Sequence, residues 1–167
     1  MKKIYIGRHA KSSWKEVGMK DFDRPLNKRG KHDAPLMGKL LRDRGIKPDF
    51  IISSPANRAQ TTAQIIAKEV GFPLNEIVLE QEIYEAYLED VLNVIQCLPQ
   101  KVETVFIFGH NPAFTYLVNH FNHGELIMNV PTCGIGCIET SAKNWSTIHP
   151  DNSKLVSFDY PKLHFYD

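Results

Sequence analysis

The chain opens on a short apolar run, Lys3-Ile4-Tyr5-Ile6, closed by Gly7, which is the pattern of a buried strand passing directly into a loop. Arg8 and His9 begin that loop. Over residues 27–44 the apolar positions Leu36, Met37, Leu40 and Leu41 recur at helical spacing. Gly45 then suits a left-handed carboxyl-terminal cap, and Pro35 falls in an early turn or at a kink. Residues 49–52 read as a second strand, after which Ser53-Ser54-Pro55 offers a capping serine and a proline for the first position of a helix running to about Val70. Residues 78–86 fit neither period and read mostly as loop. Val91, Leu92, Val94, Ile95 and Leu98 form a helical stripe that Pro99 stops. Residues 104–108 are the clearest buried strand, leading into Gly109-His110-Asn111-Pro112, where Asn111 can cap a helix that starts at Pro112. Residues 134–140 and 155–160 read as further strands around a turn-rich stretch, 144–153, most simply an edge hairpin.

Strands that alternate with helices predict a three-layer α/β/α domain with a mostly parallel central sheet and helices on both faces. Ligands in such sheets bind beyond the carboxyl ends of the strands. A length of 167 residues fits one domain, 1–167, without a linker.

Composition narrows the function classes. With 43% apolar and 23% charged residues, and nine Phe spread along the chain, a sizeable core is expected and disorder is not. Twenty basic and nineteen acidic side chains nearly cancel, with no run of like charge, so broad attraction to nucleic acid or to an anionic membrane is not expected. Any anion must meet a local site. The apolar run after Met1-Lys2-Lys3 is too short for a signal-peptide core, and no segment approaches a membrane span. Cys97, Cys133 and Cys137 form no CxxC pair and leave an odd thiol, which argues against a secreted disulfide scaffold. A cytoplasmic protein is the expectation.

Three strand ends deliver chemistry to one rim: Arg8 with His9, then Arg58 in the first turn after Pro55, then His110. Arginine forks donate bidentate hydrogen bonds to phosphate oxygens, and nearby helix amino termini add backbone donors, so the convergence suits a phosphoryl group. Taken singly, each of these residues is more simply a polar loop or solvated helix position. Asp21 and Asp23, ahead of Pro25, read as surface turn residues. His120 and His123 have the i, i+3 spacing of a metal pair without an evident third ligand, so a helix end is the simpler reading and no metal is expected. Cys133 and Cys137 read as small apolar residues in or beside a strand, and Trp14 as either a pocket-mouth or a packing aromatic.

The motifs, in order, match a known family. Gly7-Arg8-His9-Ala10 resembles the Arg-His-Gly signature of the histidine phosphatase superfamily, residues 53–63 with Arg58 resemble its second-arginine segment, and Gly109-His110-Asn111-Pro112 resembles its second-histidine motif. Asp23-Arg24-Pro25-Leu26-Asn27 with Arg29-Gly30, and Tyr84-Glu85-Ala86, are similar to the smaller, SixA-like phosphohistidine phosphatase branch. The resemblance implies a phosphoglycerate mutase-like fold and a phosphatase that needs no metal or cofactor. It implies that His9 is the nucleophile and that Arg8, Arg58 and His110 clamp the transferring phosphoryl group. The proton donor would be Glu82, with Glu85 as rival. The implied substrate is a phosphorylated protein, such as a histidine phosphotransfer domain, or alternatively a small phosphate ester; a catalytically silent phosphate-binding module is the alternative from another class. Ala10 departs from the usual glycine, which matters only if residue 10 needs positive φ or touches the ligand.

Overall fold

The first apolar run is the centre of the sheet. In the computed structural model, which describes residues 1–166, β1 (Lys2–Arg8) hydrogen-bonds on both sides, to β4 (Thr104–Gly109) in parallel and to β5 (Ile135–Thr140) antiparallel. Pairing with two neighbours extends this strand beyond its apolar residues. With β2 (Phe50–Ser53), β3 (Val78–Leu79) and β6 (Ser153–Asp159) the sheet has the order β3-β2-β4-β1-β5-β6. The first four of these neighbours run parallel, while β5 runs against β1 and β6 runs against β5.

Strand alternation sends Ile4 and Ile6 of β1 and Val105 and Ile107 of β4 to one face, where α3 (Leu88–Gln96) and α4 (Ala113–His120) add Val91, Ile95, Phe114 and Leu117. Tyr5, Phe106 and Phe108 point to the other face, where α1 (Lys28–Asp43) and α2 (Asn57–Val70) add Met37, Leu41, Ala63 and Ile66. The result is the expected three-layer α/β/α arrangement with a mostly parallel sheet. A short helix, α5 (Pro161–His164), follows β6.

Several boundaries moved for local reasons. Helix α1 runs unbroken through Pro35. An interior proline costs about 3 kcal/mol, and burying Met37 and Leu41 completely returns roughly 1.5–3 kcal/mol each. Helix α2 begins at Asn57 rather than at Pro55, because the Ser54 hydroxyl accepts from the Ala56 N–H at 3.2 Å and holds the chain in a serine turn, with Ala56 still extended. Helix α4 begins one residue after the cis Asn111–Pro112 bond, and the Asn111 carboxamide oxygen caps it by accepting from the Thr115 N–H at 3.1 Å. In the segment read as loop, Val78 and Leu79 add a two-residue edge strand and residues 81–83 form a 3-10 turn. Both strand residues are exposed, so no apolar alternation marks them. The turn-rich stretch joins β5 to β6 as an edge hairpin.

Candidate active site

Parallel register brings the strand ends level. Arg8 of β1 lies opposite Gly109 of β4, and Ser53 of β2 lies opposite Phe108. The ladder continues one step further, with the His9 N–H donating to Gly109 O and the Ser54 N–H to Phe108 O, each at 3.0 Å. His9, Ser54 and His110 therefore stand side by side, the two imidazole centroids 5.2 Å apart. Gly109 is needed at this junction, because a Cβ there would strike the Phe114 ring and the side chain of Ile83. Buried Arg58 enters from the first turn of α2, as its position after Pro55 predicts. Arg8, His9, Arg58 and His110 are thus brought together.

Each imidazole has a defined partner. The Nδ1 of His9 lies 2.7 Å from its neighbour Ala10 O. A carbonyl only accepts, so Nδ1 carries the proton and Nε2 keeps its lone pair. The Nε2 of His110 lies 2.7 Å from the Ser54 hydroxyl. Burial pushes both histidines down to about 3, with the His110 and arginine charges adding to the effect at His9 and Arg58 doing so at His110. Both rings are therefore neutral at neutral pH. The arginine charges contribute, but removal from water is the larger cause. Among the described residues, three buried donor positions face no protein partner: Arg8 Nε, Arg58 Nε and His110 Nδ1.

A second ring of contacts holds these groups. Arg8 donates through Nη1 to Val130 O at 3.0 Å, and the Asn111 carboxamide donates to the same carbonyl at 3.0 Å. The Cys133 N–H donates to His9 O and Gly134 O accepts from the Arg8 N–H, so residues 130–134 strap the first loop from behind. Cys133 has a left-handed φ of 61° there. The Thr62 hydroxyl accepts from the Ala10 N–H at 2.9 Å and donates to Arg58 O at 2.7 Å, tying α2 to the same loop. Ala10 is fully buried and is not among the left-handed residues, so its methyl group packs in the core without backbone strain.

Asp21 lies exposed on a 3-10 turn, as its position ahead of Pro25 suggests, but it also holds Arg58, a role that residue type alone did not show. Arg58 Nη1 donates to its carbonyl at 2.7 Å and Nη2 to its carboxylate at 3.0 Å, while Arg24 Nε and the Tyr84 hydroxyl donate to the same carboxylate at 3.0 and 2.8 Å. Burial raises its pKa, but the Tyr84 and Arg58 hydrogen bonds outweigh that and hold it down at about 2. Tyr84, whose ring packs edge-on against His110, is pushed up to about 12 by burial and by Asp21. The signal was present in the run Asp21-Phe22-Asp23-Arg24-Pro25, where a carboxylate precedes a basic residue by three positions. Trp14 is exposed and lies under the Arg24 guanidinium, 3.5 Å from carbon to centroid. Glu82 sits exposed on the 81–83 turn and lines a neighbouring cavity with Phe50, Ile52 and Val78; Glu85 is exposed at φ 55°. Among the described residues, neither hydrogen-bonds to the paired histidines or arginines.

An α/β sheet that ends in two neutral imidazoles and unpaired guanidinium donors is the framework of a phosphate-handling enzyme. Residues 4–94 match the family model of the histidine phosphatase superfamily, branch 1. A putative phosphohistidine phosphatase SixA from Agrobacterium tumefaciens is 30% identical, with a TM-score of 0.81 over 96% of this chain and 98% of that one. A protein histidine phosphatase SixA bound to tungstate shares the fold at 22% identity and a TM-score of 0.79, covering 95% and 97% of the two chains. An uncharacterized protein of Mycobacterium tuberculosis is 28% identical over 164 residues, 93% of this chain and 99% of that one. The chain belongs to the histidine phosphatase superfamily and is a SixA-like phosphatase in length and fold. Among the described residues no helix is long and apolar enough to cross a membrane.

Proposed function

We propose that this chain hydrolyses protein-borne phosphohistidine in the cytoplasm through a phosphoenzyme formed on His9, without a metal ion. The lone pair on His9 Nε2 attacks phosphorus, the bond from phosphorus to the substrate nitrogen breaks, and water then attacks the phosphorylated His9 to release phosphate. Arg8 Nε, Arg58 Nε and His110 Nδ1 are the buried donors available to the phosphoryl oxygens. For His110 this requires the Ser54 hydroxyl to donate to Nε2, so that Nδ1 holds the proton. Fixed donors in a site shielded from water do the charge stabilisation that magnesium supplies in other phosphotransferases.

One observation favours phosphohistidine over an ester: the carboxylate that bonds Arg58 is Asp21, which is held ionised at about 2 and cannot serve as a proton donor near neutrality. An alkoxide leaving group needs such a donor, whereas a histidine leaving group takes its proton with a pKa near ~6.5. Glu82, as the acid implied by resemblance, would have to turn from its neighbouring cavity toward the site. Free thiols at Cys97, Cys133 and Cys137 suit a reducing compartment. The test is phosphate release from a phosphohistidine-bearing phosphotransfer domain beside a panel of small phosphate esters. Turnover of the phosphoprotein with a kcat/KM above that of aliphatic esters supports the reading. Hydrolysis of the esters with the phosphoprotein left untouched overturns the substrate assignment and leaves the reaction class standing.

A further inference from the structure

A groove of about 660 Å³ beside the first turn of α1 is lined by Lys15, Lys28, Arg29, His32, Lys162 and Tyr166, together with Asn27. No carboxylate is among these lining residues, and Lys15, Lys28 and Lys162 are exposed and form no ion pair among the described residues. Its floor is built. Asp33, 1% exposed, accepts from the Tyr166 hydroxyl at 2.6 Å and lies 3.4 Å from Arg29 Nε and 3.2 Å from His32 Nδ1. Arg29 in turn lies over the Tyr166 ring at 5.2 Å.

Helix-end electrostatics do not account for Lys28. The amino-terminal turn of a helix favours acidic residues, yet the first turn of α1 has none and begins Lys28-Arg29. Placement links the groove to the reaction: the Asn27 N–H donates to Lys11 O at 3.0 Å, so the groove stands on the loop that continues from His9. The groove is open and its lysines are mobile point charges without a fixed fork, which suits several carboxylates spread over a folded surface better than one small anion. With the whole chain at a formal charge of +1, this local concentration of cations is the feature a partner would read.

We propose that the groove docks an acidic surface of the phosphoprotein whose phosphate enters the His9 site, an inference that rests on the substrate being protein-borne. The experiment compares the native chain with the triple variant Lys15→Glu, Lys28→Glu, Lys162→Glu, none of which touches the catalytic groups. A fluorescent polyglutamate dodecapeptide is titrated by anisotropy at low and physiological salt. In parallel, kcat/KM is measured on an acidic phosphohistidine-bearing phosphotransfer protein and on free phosphohistidine. The variant should bind the peptide about tenfold more weakly or worse, and should lose a similar factor on the protein through KM with a flattened salt dependence. Free phosphohistidine should be turned over as before, and the thermal midpoint should hold or rise, since an acidic side chain at position 28 suits a helix start. A peptide that ignores the native chain, or binds both proteins equally, overturns the docking proposal. A native chain that leaves the phosphoprotein untouched overturns the substrate reading instead, and the peptide titration still decides the groove.

Discussion

At His9 a single hydrogen bond decides which ring nitrogen can attack, because Nδ1 faces a carbonyl that only accepts and Nε2 is left as the base. Nitrogen-15 chemical shifts of the ring should therefore show a neutral Nδ1–H tautomer throughout pH 5–8; an imidazolium appearing near pH 6.5 would contradict burial as the controlling cause. Replacing His9 with Ala should remove the acid-labile phosphoenzyme and lower turnover by about a thousandfold or more, read by phosphate release and by radiolabel trapping. Unchanged turnover would exclude His9 as the nucleophile. Asp21 acts through Arg58, so Asp21→Asn, which keeps its shape and loses the charge, should lower kcat/KM about tenfold while Arg58→Lys lowers it further, because an ammonium cannot span the same acceptors. Equal activity of Asp21→Asn and the native chain would exclude that carboxylate from positioning Arg58.

Among the elements, the strand ends and the 130–134 strap carry the site. Level register between β1 and β4 sets the spacing of the two histidines, and Gly109 lets α4 and the 81–83 turn close against them. A methyl group at Gly109 must displace the Phe114 ring and Ile83, so Gly109→Ala should cost about 1–3 kcal/mol in chemical denaturation and also depress turnover. Full activity with native stability would mean that the packing relaxes freely. Helix α1 tolerates Pro35 for a related reason: Gly38 brings it into direct contact with Ile66 and Glu69 of α2, and that close crossing is worth more than one missing hydrogen bond.

For the whole molecule, the buried histidines set the response to acid. Both have folded values of about 3 against an ordinary 6.5, so the unfolded chain binds more protons between those limits. Stability should then be undiminished above about pH 6.5 and fall as pH drops from there toward 3, read as the urea midpoint across that range. In His9→Ala and in His110→Asn the slope should be shallower; identical slopes would assign acid sensitivity to other groups.

The layered fold was legible because its signals are local. The apolar runs at 3–6, 49–52 and 104–108 alternate with stretches of helical periodicity, and a β-α alternation admits few architectures. The basic and imidazole residues at the strand ends were legible for the same reason, since a strand's carboxyl end is also where such sheets bind ligands. What remained hidden depends on contacts between segments far apart in the chain. Two exposed residues, Val78 and Leu79, form a strand only because β2 offers an open edge, and Ser54 is drawn into a turn beside His110 rather than into a helix cap. Asp21 gained its place through Arg58, thirty-seven positions away, and Tyr84, sixty-three away. Periodicity and residue type thus determined the elements and the kinds of chemistry they carry, whereas tertiary packing alone decided protonation, orientation and the partners of each charge. Those last properties depend on distance and exclusion of water, which a one-dimensional pattern does not contain.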